Sequence, residues 1–431
     1  MSKCRIFRSP NWSAQSKLAP VTPFAAPDRA RRLSNALFRG RIPGATPRAL
    51  GQAFDFPSTS ARISGGAALR GALRALWRGC VGALAVLIVE MGGTASAQPS
   101  KPIEIRVVIV TTWETISGGV DQGGELKAWQ NRWPLQTALP FAAGVHPLQY
   151  DPKTHVLAVL TGMATARAAA SVMALGLDPR FDLRHAYWIV AGTAGVDPKI
   201  ASAGSAAWAR WVVDGDLMQE VDPRDAPADW PTGAVPNGRT RPYEAPRPPI
   251  HTDDGNVAFA LNSKLADWAY RTSRDATLRD DEALKALRAP YDGPGGRPPT
   301  VLEADGLMSA RFWYGEQMNA WARRWVDYWT DGRGVFAMSA EEDTGILQAL
   351  TFLAGAKRAD LNRVLVLRAG SDYTLPPPGT TASAFLSRET VQGFPGTPAA
   401  LDNLYAVASP VARAIVANWA RTRAVVPGSG A

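Results

Sequence analysis

The sequence predicts an α/β fold in which a wound, largely parallel sheet is covered by helices. Residues 105–111, I-R-V-V-I-V-T, are β-branched and nearly all apolar, as expected of a strand buried on both faces. Residues 156–161 repeat this pattern, and Gly162 then leads into an alanine-rich helix over 164–175. Residues 186–191, A-Y-W-I-V-A, form the next buried strand. Strands that alternate with helices in this way indicate a wound α/β sheet.

The same alternation continues through the rest of the chain. The predicted elements are strands over 206–213, 335–338 and 363–369 and helices over 256–273, 312–330, 341–353 and 402–422. Within 312–330, tryptophans recur at multiples of four, at Trp313, Trp321, Trp325 and Trp329. Such a stripe is typical of a helix face buried in the core or in a subunit contact.

One long segment interrupts this alternation of strands and helices. Residues 222–249 contain eight prolines together with several Gly, Asp and Arg residues. We interpret this segment as a surface flap rather than a domain linker, because the α/β pattern resumes after it. Residues 98–431 are therefore predicted to form a single domain.

The N-terminal 97 residues differ from the rest in charge and in pattern. They carry 14 Lys and Arg against 3 Asp and Glu, whereas the remainder carries 33 basic and 35 acidic side chains. Residues 70–97 contain arginines, then an uncharged run over 80–89, then small residues ending at Ala97, which is the order of a secretory signal peptide. We therefore expect export to the periplasm with cleavage after Ala97. Residues 1–69 are interpreted as a disordered leader or an over-extended start.

Composition excludes several function classes for residues 98–431. The balance of charges there leaves no basic footprint for nucleic acid. Both cysteines, Cys4 and Cys80, precede this part, so thiol catalysis is excluded from it. No apolar run approaches membrane length, and no stable membrane span is expected. The four histidines lack the spacing of metal ligands, so no metal is predicted.

Polar residues cluster where three predicted strands end. They are G-T-A-G at 192–195, S-A-E-E-D at 339–343 and G-S-D at 370–372. In a parallel sheet, ligands bind at the carboxyl ends of the strands, because loops and helix N-termini meet there. These segments are therefore the candidate site.

Together these segments resemble the nucleoside phosphorylase and nucleosidase superfamily. The similar motifs are T-G-M-A-T-A-R-A-A-A at 161–170, G-T-A-G at 192–195, E-E-D-T-G-I-L-Q at 341–348 and R-A-G-S-D at 368–372. Most of residues 103–422 is similar to the related purine nucleoside permease family. The resemblance implies a three-layer αβα fold with a mixed, largely parallel central sheet. It implies no cofactor, and a homo-oligomer is compatible with it.

The resemblance also implies roles for individual residues. Glu342 is expected to bind the ribose hydroxyls, and Asp372 to hydrogen-bond the purine at N7 and act as the catalytic acid. Phe312 and Trp313 occupy the region where the superfamily stacks an aromatic ring on the base. The implied function is an exported protein that binds purine nucleosides and cleaves the N-glycosidic bond. The alternative is a soluble, non-catalytic nucleoside-binding component of uptake.

The sequence leaves open whether phosphate or water accepts the sugar. Val190 stands where bacterial phosphorylases have an arginine for phosphate, although Thr193 and the turn formed by Gly192 and Gly195 are candidates to hold an anion. A hydrolase instead needs a carboxylate that activates water. Glu114 and Glu125, near the end of the first strand, are the candidates for that role.

Overall fold

The computed structural model describes residues 101–117, 120–252 and 255–429. These residues belong to one compact unit, Ser96–Ala431. The predicted leader at 1–69 and the predicted signal peptide at 70–97 lie outside the described residues, as do both cysteines.

The described residues contain twenty strands, most of them short. Their bounds are β1 Ile103–Glu104, β2 Val107–Thr111, β3 Glu114–Ser117, β4 Val120–Gly124, β5 Thr137–Leu139, β6 Leu148–Asp151, β7 Val156–Leu160, β8 Phe181–Asp182, β9 Tyr187–Val196, β10 Ala206–Trp208, β11 Trp211–Asp214, β12 Gln219–Glu220, β13 Ala234–Val235, β14 His251–Thr252, β15 Gly255–Asn256, β16 Ala258–Ala260, β17 Val301–Glu303, β18 Asp305–Met308, β19 Phe336–Ala340 and β20 Val364–Tyr373.

Helices connect these strands and cover both faces of the sheet. Their bounds are α1 Glu125–Gln130, α2 Thr165–Leu177, α3 Ser263–Ser273, α4 Glu282–Arg288, α5 Glu316–Thr330, α6 Asp343–Gly355, α7 Ala382–Gln392, α8 Thr397–Ala417 and α9 Trp419–Ala424. In the described part of the chain, none of them combines the length and the apolar character needed to cross a bilayer.

Strand β9 is the centre of a mixed twelve-stranded sheet. It pairs in parallel with β2 along one edge and with β20 along the other, and its far end meets β19 in antiparallel pairing. The sheet continues from β2 through β7, β6 and β5, from β19 through β18, β11 and β16, and from β20 through β10 and β17. Strands β2, β7, β9 and β20 are mutually parallel, so their carboxyl ends share one edge.

Alternating residues of β2 face two separate cores, because successive side chains of a strand point to opposite faces. Val108 and Val110 belong to the core that contains residues of α2 and α6. Val107 and Ile109 belong to the core that contains residues of α1, α3 and α8. The molecule is therefore a three-layer α/β structure with a mixed central sheet, which confirms the predicted fold class.

The tryptophan stripe of α5 forms a third core. Trp321, Trp325 and Trp329 are each almost fully buried and pack against one another. Trp325 Nε1 donates a hydrogen bond of 2.8 Å to the backbone oxygen of Asp214, at the end of β11. This burial within one chain accounts for the spacing of the stripe.

The helix that starts next to the candidate site packs unusually close to its neighbour. A Cβ atom at Gly345, in the first turn of α6, would lie 2.2 Å from the backbone oxygen of Thr165 at the start of α2. Only glycine allows this approach. The N-termini of the two helices therefore lie side by side at the same edge of the sheet.

Several predicted elements have different boundaries in the structure. The segment 192–195 is not a turn, because β9 continues through it to Val196. Likewise, residues 370–372 lie within β20 rather than after it. The predicted strand 206–213 is two strands, β10 and β11, which belong to different branches of the sheet. Helices α4 and α7 were not expected from the sequence pattern.

Candidate functional site

A cavity of about 360 Å³ lies at the carboxyl ends of β2, β9, β19 and β20. It is lined by residues Thr112, Trp113, Glu125, Met163, Thr193, Ala194, Phe312, Tyr314, Ser339, Ala340, Glu341, Glu342, Arg368, Ser371, Asp372, Leu386, Glu389, Thr390, Phe394 and Thr397. Asp372 and Glu342, thirty positions apart in the chain, therefore face one cavity.

Asp372 is a buried carboxyl group with one oxygen left over. It lies in β20 opposite Gly195 of β9, and only 1% of its surface is exposed. Its Oδ1 accepts a hydrogen bond of 3.0 Å from Ser371 Oγ, whereas Oδ2 has no hydrogen-bond partner among the described residues. Burial raises the pKa of Asp372 to about 7, and the charge of Glu389 adds to this while the Ser371 bond opposes it. Near neutral pH the group can therefore donate a proton.

Glu342 is held at the N-terminus of α6 by two contacts. Its Oε2 accepts from Arg368 Nη2 at 2.9 Å, and its Oε1 accepts from the backbone N–H of Ala164 at 3.4 Å. Arg368 also donates through Nε and Nη2 to Asp343 and through Nη1 to the backbone oxygen of Thr193. Four of the five N–H groups of the guanidinium thus hold carboxylates and strand β9 in place.

The electrostatics of Arg368 follow from this enclosure. Burial opposes its charge, but the carboxylates of Asp343 and Glu342 outweigh burial and raise the pKa of the guanidinium group above its ordinary value. A Cβ atom at Gly192 would lie 2.3 Å from Arg368 Nη1, so glycine at this position makes room for the guanidinium group. Gly192, which was predicted to form a turn that holds an anion, therefore makes room for the cationic side chain of Arg368.

Glu125, at the start of α1, ties the ends of β2 and β9 together. Its Oε2 accepts from the backbone N–H of Thr112 at 2.6 Å, from Thr112 Oγ1 at 3.1 Å and from the backbone N–H of Trp113 at 3.2 Å. Its Oε1 accepts from the backbone N–H of Thr193 at 2.7 Å and from Thr193 Oγ1 at 3.2 Å. Burial raises the pKa of Glu125, although Arg368 and these hydrogen bonds oppose the shift. The anion that Thr193 holds is thus a side chain of the protein itself.

Glu341 is the carboxylate at this end of the cavity with the fewest constraints. It is half-buried, and its side chain makes no hydrogen bond or ion pair with the described residues. Burial raises the pKa of Glu341, and the neighbouring charge of Glu342 raises it further. Among the described residues, Glu342 and Asp343 form ion pairs with Arg368 alone, so this end of the cavity carries a net negative charge.

Aromatic side chains line the opposite end. Phe312 is 48% exposed, and its ring centroid lies 5.1 Å from that of Tyr314 and 5.7 Å from that of Phe394. Trp313 does not line the cavity: it is buried in the third core, stacked on Phe336 with a centroid separation of 6.2 Å. The chain direction at this loop places the two neighbouring rings on different sides, so Phe312 faces the cavity with Tyr314.

Glu114 lies outside this cavity. It lines an adjoining cavity of about 460 Å³ together with Arg167. Glu114 Oε1 accepts a hydrogen bond of 2.7 Å from the backbone N–H of Lys127 in α1. Of the two carboxylates considered for activating water, only Glu125 lines the cavity with Asp372.

Sequence reasoning missed several residues of the cavity. Arg368 is a charged residue inside an apolar strand, V-L-V-L-R-A, and that position signals a buried cation in need of carboxylate partners. Glu389 gave no such signal, because its segment has an ordinary surface pattern. Tyr314 follows Phe312 and Trp313 in the aromatic run F-W-Y, and that run was the signal that could have found it. Across the described ranges, no cluster of three or more His, Cys, Asp or Glu side chains has the arrangement of a metal site.

The chain is similar to one protein family and to curated proteins. The model of the purine nucleoside permease family matches residues 104–426. A probable purine nucleoside permease of Schizosaccharomyces pombe is 32% identical over 268 residues, which cover 60% of this chain and 75% of that protein. A purine nucleoside permease of Candida albicans is 28% identical over 270 residues, and this match spans 61% of this chain and 64% of that protein.

Solved structures with a similar fold have much lower sequence identity. The 5'-methylthioadenosine/S-adenosylhomocysteine nucleosidase of Neisseria meningitidis, in complex with methylthio-immucillin-A, is 14% identical, with 71% of this chain and 100% of that chain covered and a TM-score of 0.41. The futalosine hydrolase of Helicobacter pylori is 9% identical, with 71% of this chain and 98% of that chain covered and a TM-score of 0.42.

Proposed function

The chain belongs to the purine nucleoside permease family, and we propose that it binds purine nucleosides in this cavity and cleaves their N-glycosidic bond by hydrolysis. The observation that carries the proposal is Asp372, whose Oδ2 is buried without a partner among the described residues and whose pKa is raised to about 7. A buried carboxyl group that is protonated near neutral pH and lacks a partner needs a ligand atom that accepts its proton. Purine N7 is such an atom, and the curated relatives are named for purine nucleosides.

The proposed reaction begins at the base. Neutral Asp372 donates its proton from Oδ2 to N7, the bond between C1′ and N9 breaks, and its electron pair stays with the purine. The departing base is then neutral rather than anionic, which general-acid catalysis makes easier by about 10²- to 10⁴-fold. Phe312 and Tyr314 provide the rings against which the flat base packs.

The sugar lies at the acidic end of the cavity in this proposal. Glu342 Oε1 and Oε2 accept hydrogen bonds from the 2′ and 3′ hydroxyl groups, and Arg368 fixes the position of Glu342. Bond cleavage leaves positive charge on the sugar ring. The net negative charge of Glu341, Glu342 and Asp343 around a single Arg368 stabilises that charge.

Water is the proposed acceptor rather than phosphate. Phosphate needs unoccupied cationic or N–H donors, but Arg368 is committed to carboxylates and the Thr193 donors are committed to Glu125. Water attacks C1′ and passes its proton to Glu341, and the products are the purine base and ribose. We assign this role to Glu341 rather than Glu125, because the two oxygens of Glu125 already accept five hydrogen bonds.

The second candidate is a soluble component that binds nucleosides for uptake without cleaving them. The occupation of both Glu125 oxygens favours this candidate, since it removes one of the carboxylates expected to activate water. The names of the curated relatives also describe transport. Under either candidate we propose that the protein is exported, because residues 70–97 have the pattern of a signal peptide.

Incubation of the full-length protein with adenosine or inosine, with and without phosphate, tests the proposal. Liquid chromatography measures the release of free base, and ligand-induced thermal shift measures binding. Hydrolysis predicts base release at the same rate with and without phosphate, accompanied by free ribose. Release only with phosphate would replace hydrolysis by phosphorolysis. Saturable binding without release would support the transport component, and absence of both would contradict nucleoside binding.

A further inference from the structure

Helix α7 contributes a polar side chain to the base end of the cavity. Leu386, Glu389 and Thr390 are spaced three and four positions apart and thus share one helix face, and all three line the cavity. The helix begins at Thr381, whose side chain accepts a hydrogen bond of 3.2 Å from the backbone N–H of Ala384. It ends before Gly393, whose φ of 75° suits a glycine. The position of this face is therefore well defined.

Glu389 is buried, and one of its oxygens is left over. Only 2% of the residue is exposed. Its Oε1 accepts a hydrogen bond of 3.2 Å from Arg388 Nη2, whereas Oε2 has no hydrogen-bond partner among the described residues. Burial raises the pKa of Glu389, and the ion pair with Arg388 opposes this shift by favouring the ionised form, in which the carboxylate only accepts hydrogen bonds. An unpaired buried acceptor is costly to the fold, so a ligand that donates a hydrogen bond is expected here.

The acceptor and the proposed acid line the same cavity. The negative charge of Glu389 contributes to the raised pKa of Asp372 and to that of Tyr314, so the three groups interact through space. Tyr314 Oη is also buried without a partner in the described part of the chain. The base end of the cavity thus presents a carboxylate acceptor, a neutral acid and a phenol hydroxyl group within one small region.

A carboxylate acceptor at Glu389 distinguishes 6-aminopurines from 6-oxopurines. On the edge of a purine, the substituent at C6 is the neighbour of N7. An amino group at C6 donates a hydrogen bond to a carboxylate, whereas a C6 carbonyl oxygen meets the carboxylate as a second acceptor and is repelled. We propose that Glu389 Oε2 accepts a hydrogen bond from the C6 amino group and that the cavity selects 6-aminopurine over 6-oxopurine nucleosides. This inference rests on the proposed function, because it places N7 at Asp372.

The remaining polar group fits the same ligand. With the C6 amino group at Glu389 and N7 at Asp372, ring atom N1 of a 6-aminopurine is an acceptor. Tyr314 Oη can donate to it, and a hydroxyl group carries a single proton for that purpose. Asp372 Oδ2, Glu389 Oε2 and Tyr314 Oη, which have no hydrogen-bond partner among the described residues, then each have a partner on the base.

Specificity in wild-type and variant proteins tests the inference. The readout is the ratio of kcat/KM for adenosine to that for inosine at pH 8, or the ratio of the two affinities if no base is released. We expect the wild type to prefer adenosine by about 10- to 100-fold, the range of a hydrogen bond to a charged group. Glu389→Met keeps the length of the side chain without the acceptor, and should reduce this ratio to near 1 through loss of adenosine.

A second variant and a control variant distinguish a change in specificity from a failure to fold. Glu389→Gln offers an amide N–H to a C6 oxygen, so inosine should improve and the ratio should fall even if Glu389→Met does not fold. Glu282→Gln is the matched control, since Glu282 is exposed in α4 and pairs only with Lys285 at 2.7 Å. A wild type that does not prefer adenosine, or an unchanged ratio in Glu389→Gln, would overturn this inference alone. Failure of the wild type to bind either nucleoside would overturn the proposed function with it.

Discussion

Replacement of Asp372 by asparagine gives the most informative change in rate. Asparagine has the same shape and retains a hydrogen-bond donor, but it has no proton to transfer. Because Asp372 lines the cavity with Glu342 and the aromatic rings, the variant should still bind nucleosides while kcat falls by about 10²- to 10⁴-fold. Initial rates of base release over a range of nucleoside concentrations separate the effect on kcat from the effect on KM.

The pH dependence of the wild type follows from the same residue. With a pKa of about 7, Asp372 is mostly protonated at pH 6 and mostly ionised at pH 8. Activity that requires the neutral acid should therefore fall about tenfold for each unit above pH 8. Asp372→Asn should lack this alkaline limb. Equal pH profiles for the two proteins, or an unchanged kcat in the variant, would refute the assignment of the acid.

Stability provides an independent measurement on the same pair of proteins. The pKa of Asp372 is raised from 3.8 in the unfolded chain to about 7 in the fold. The neutral form is thus favoured in the fold, and its contribution to stability, present below pH 4, is lost as the pH rises through 7. A shift of that size corresponds to a loss on the order of 4 kcal/mol. Denaturation curves at pH 5 and pH 8 should show Asp372→Asn gaining stability relative to wild type at the higher pH.

Three further predictions concern the rest of the site and the N-terminus. Arg368→Met leaves buried carboxylates without their cation, and should lower the free energy of unfolding by about 3 to 5 kcal/mol in urea denaturation. Arg184→Met, which removes an exposed ion pair, should leave the denaturation midpoint nearly unchanged. An equal loss of unfolding free energy in both variants would contradict the role of Arg368 as a buried counter-ion. Glu341→Gln should lower kcat for base release with little change in KM, and normal turnover would exclude Glu341 as the acceptor of the water proton. Mass spectrometry of exported protein should find Gln98 as the first residue, and an intact N-terminus would exclude cleavage after Ala97.

The sequence predicts the arrangement of strands around the site because burial on both faces leaves a strong pattern. The run V-L-V-L-R-A and the earlier strand A-Y-W-I-V-A are continuous apolar segments, and both lie side by side at the centre of the sheet. Polar residues that interrupt such segments must face a site or a partner. Asp372 and Glu342 were identified as polar residues where predicted strands end, and their roles were implied by the motif resemblance.

Other parts of the site depend on contacts that no local pattern encodes. The α7 sequence A-S-A-F-L-S-R-E-T-V-Q resembles an exposed helix, but in the fold this helix packs against residues distant in sequence, as Phe385 does on Tyr314, and Glu389 is buried. Phe312 and Trp313 are neighbours, yet the path of the loop turns one ring to the cavity and the other to the third core. The threonine predicted to hold an anion does so, but the anion is Glu125, whose position 68 residues away is set by the fold.

In the proposed complex, Asp372 and Glu342 contact opposite ends of one bound nucleoside. A crystal structure of the Asp372→Asn variant with adenosine tests this directly, since that variant should retain the ligand without cleaving it. We predict purine N7 within hydrogen-bond distance of the residue 372 side chain and both ribose hydroxyl groups on Glu342. Adenosine bound in the reverse orientation, or outside the cavity, would contradict the proposed roles of Asp372 and Glu342.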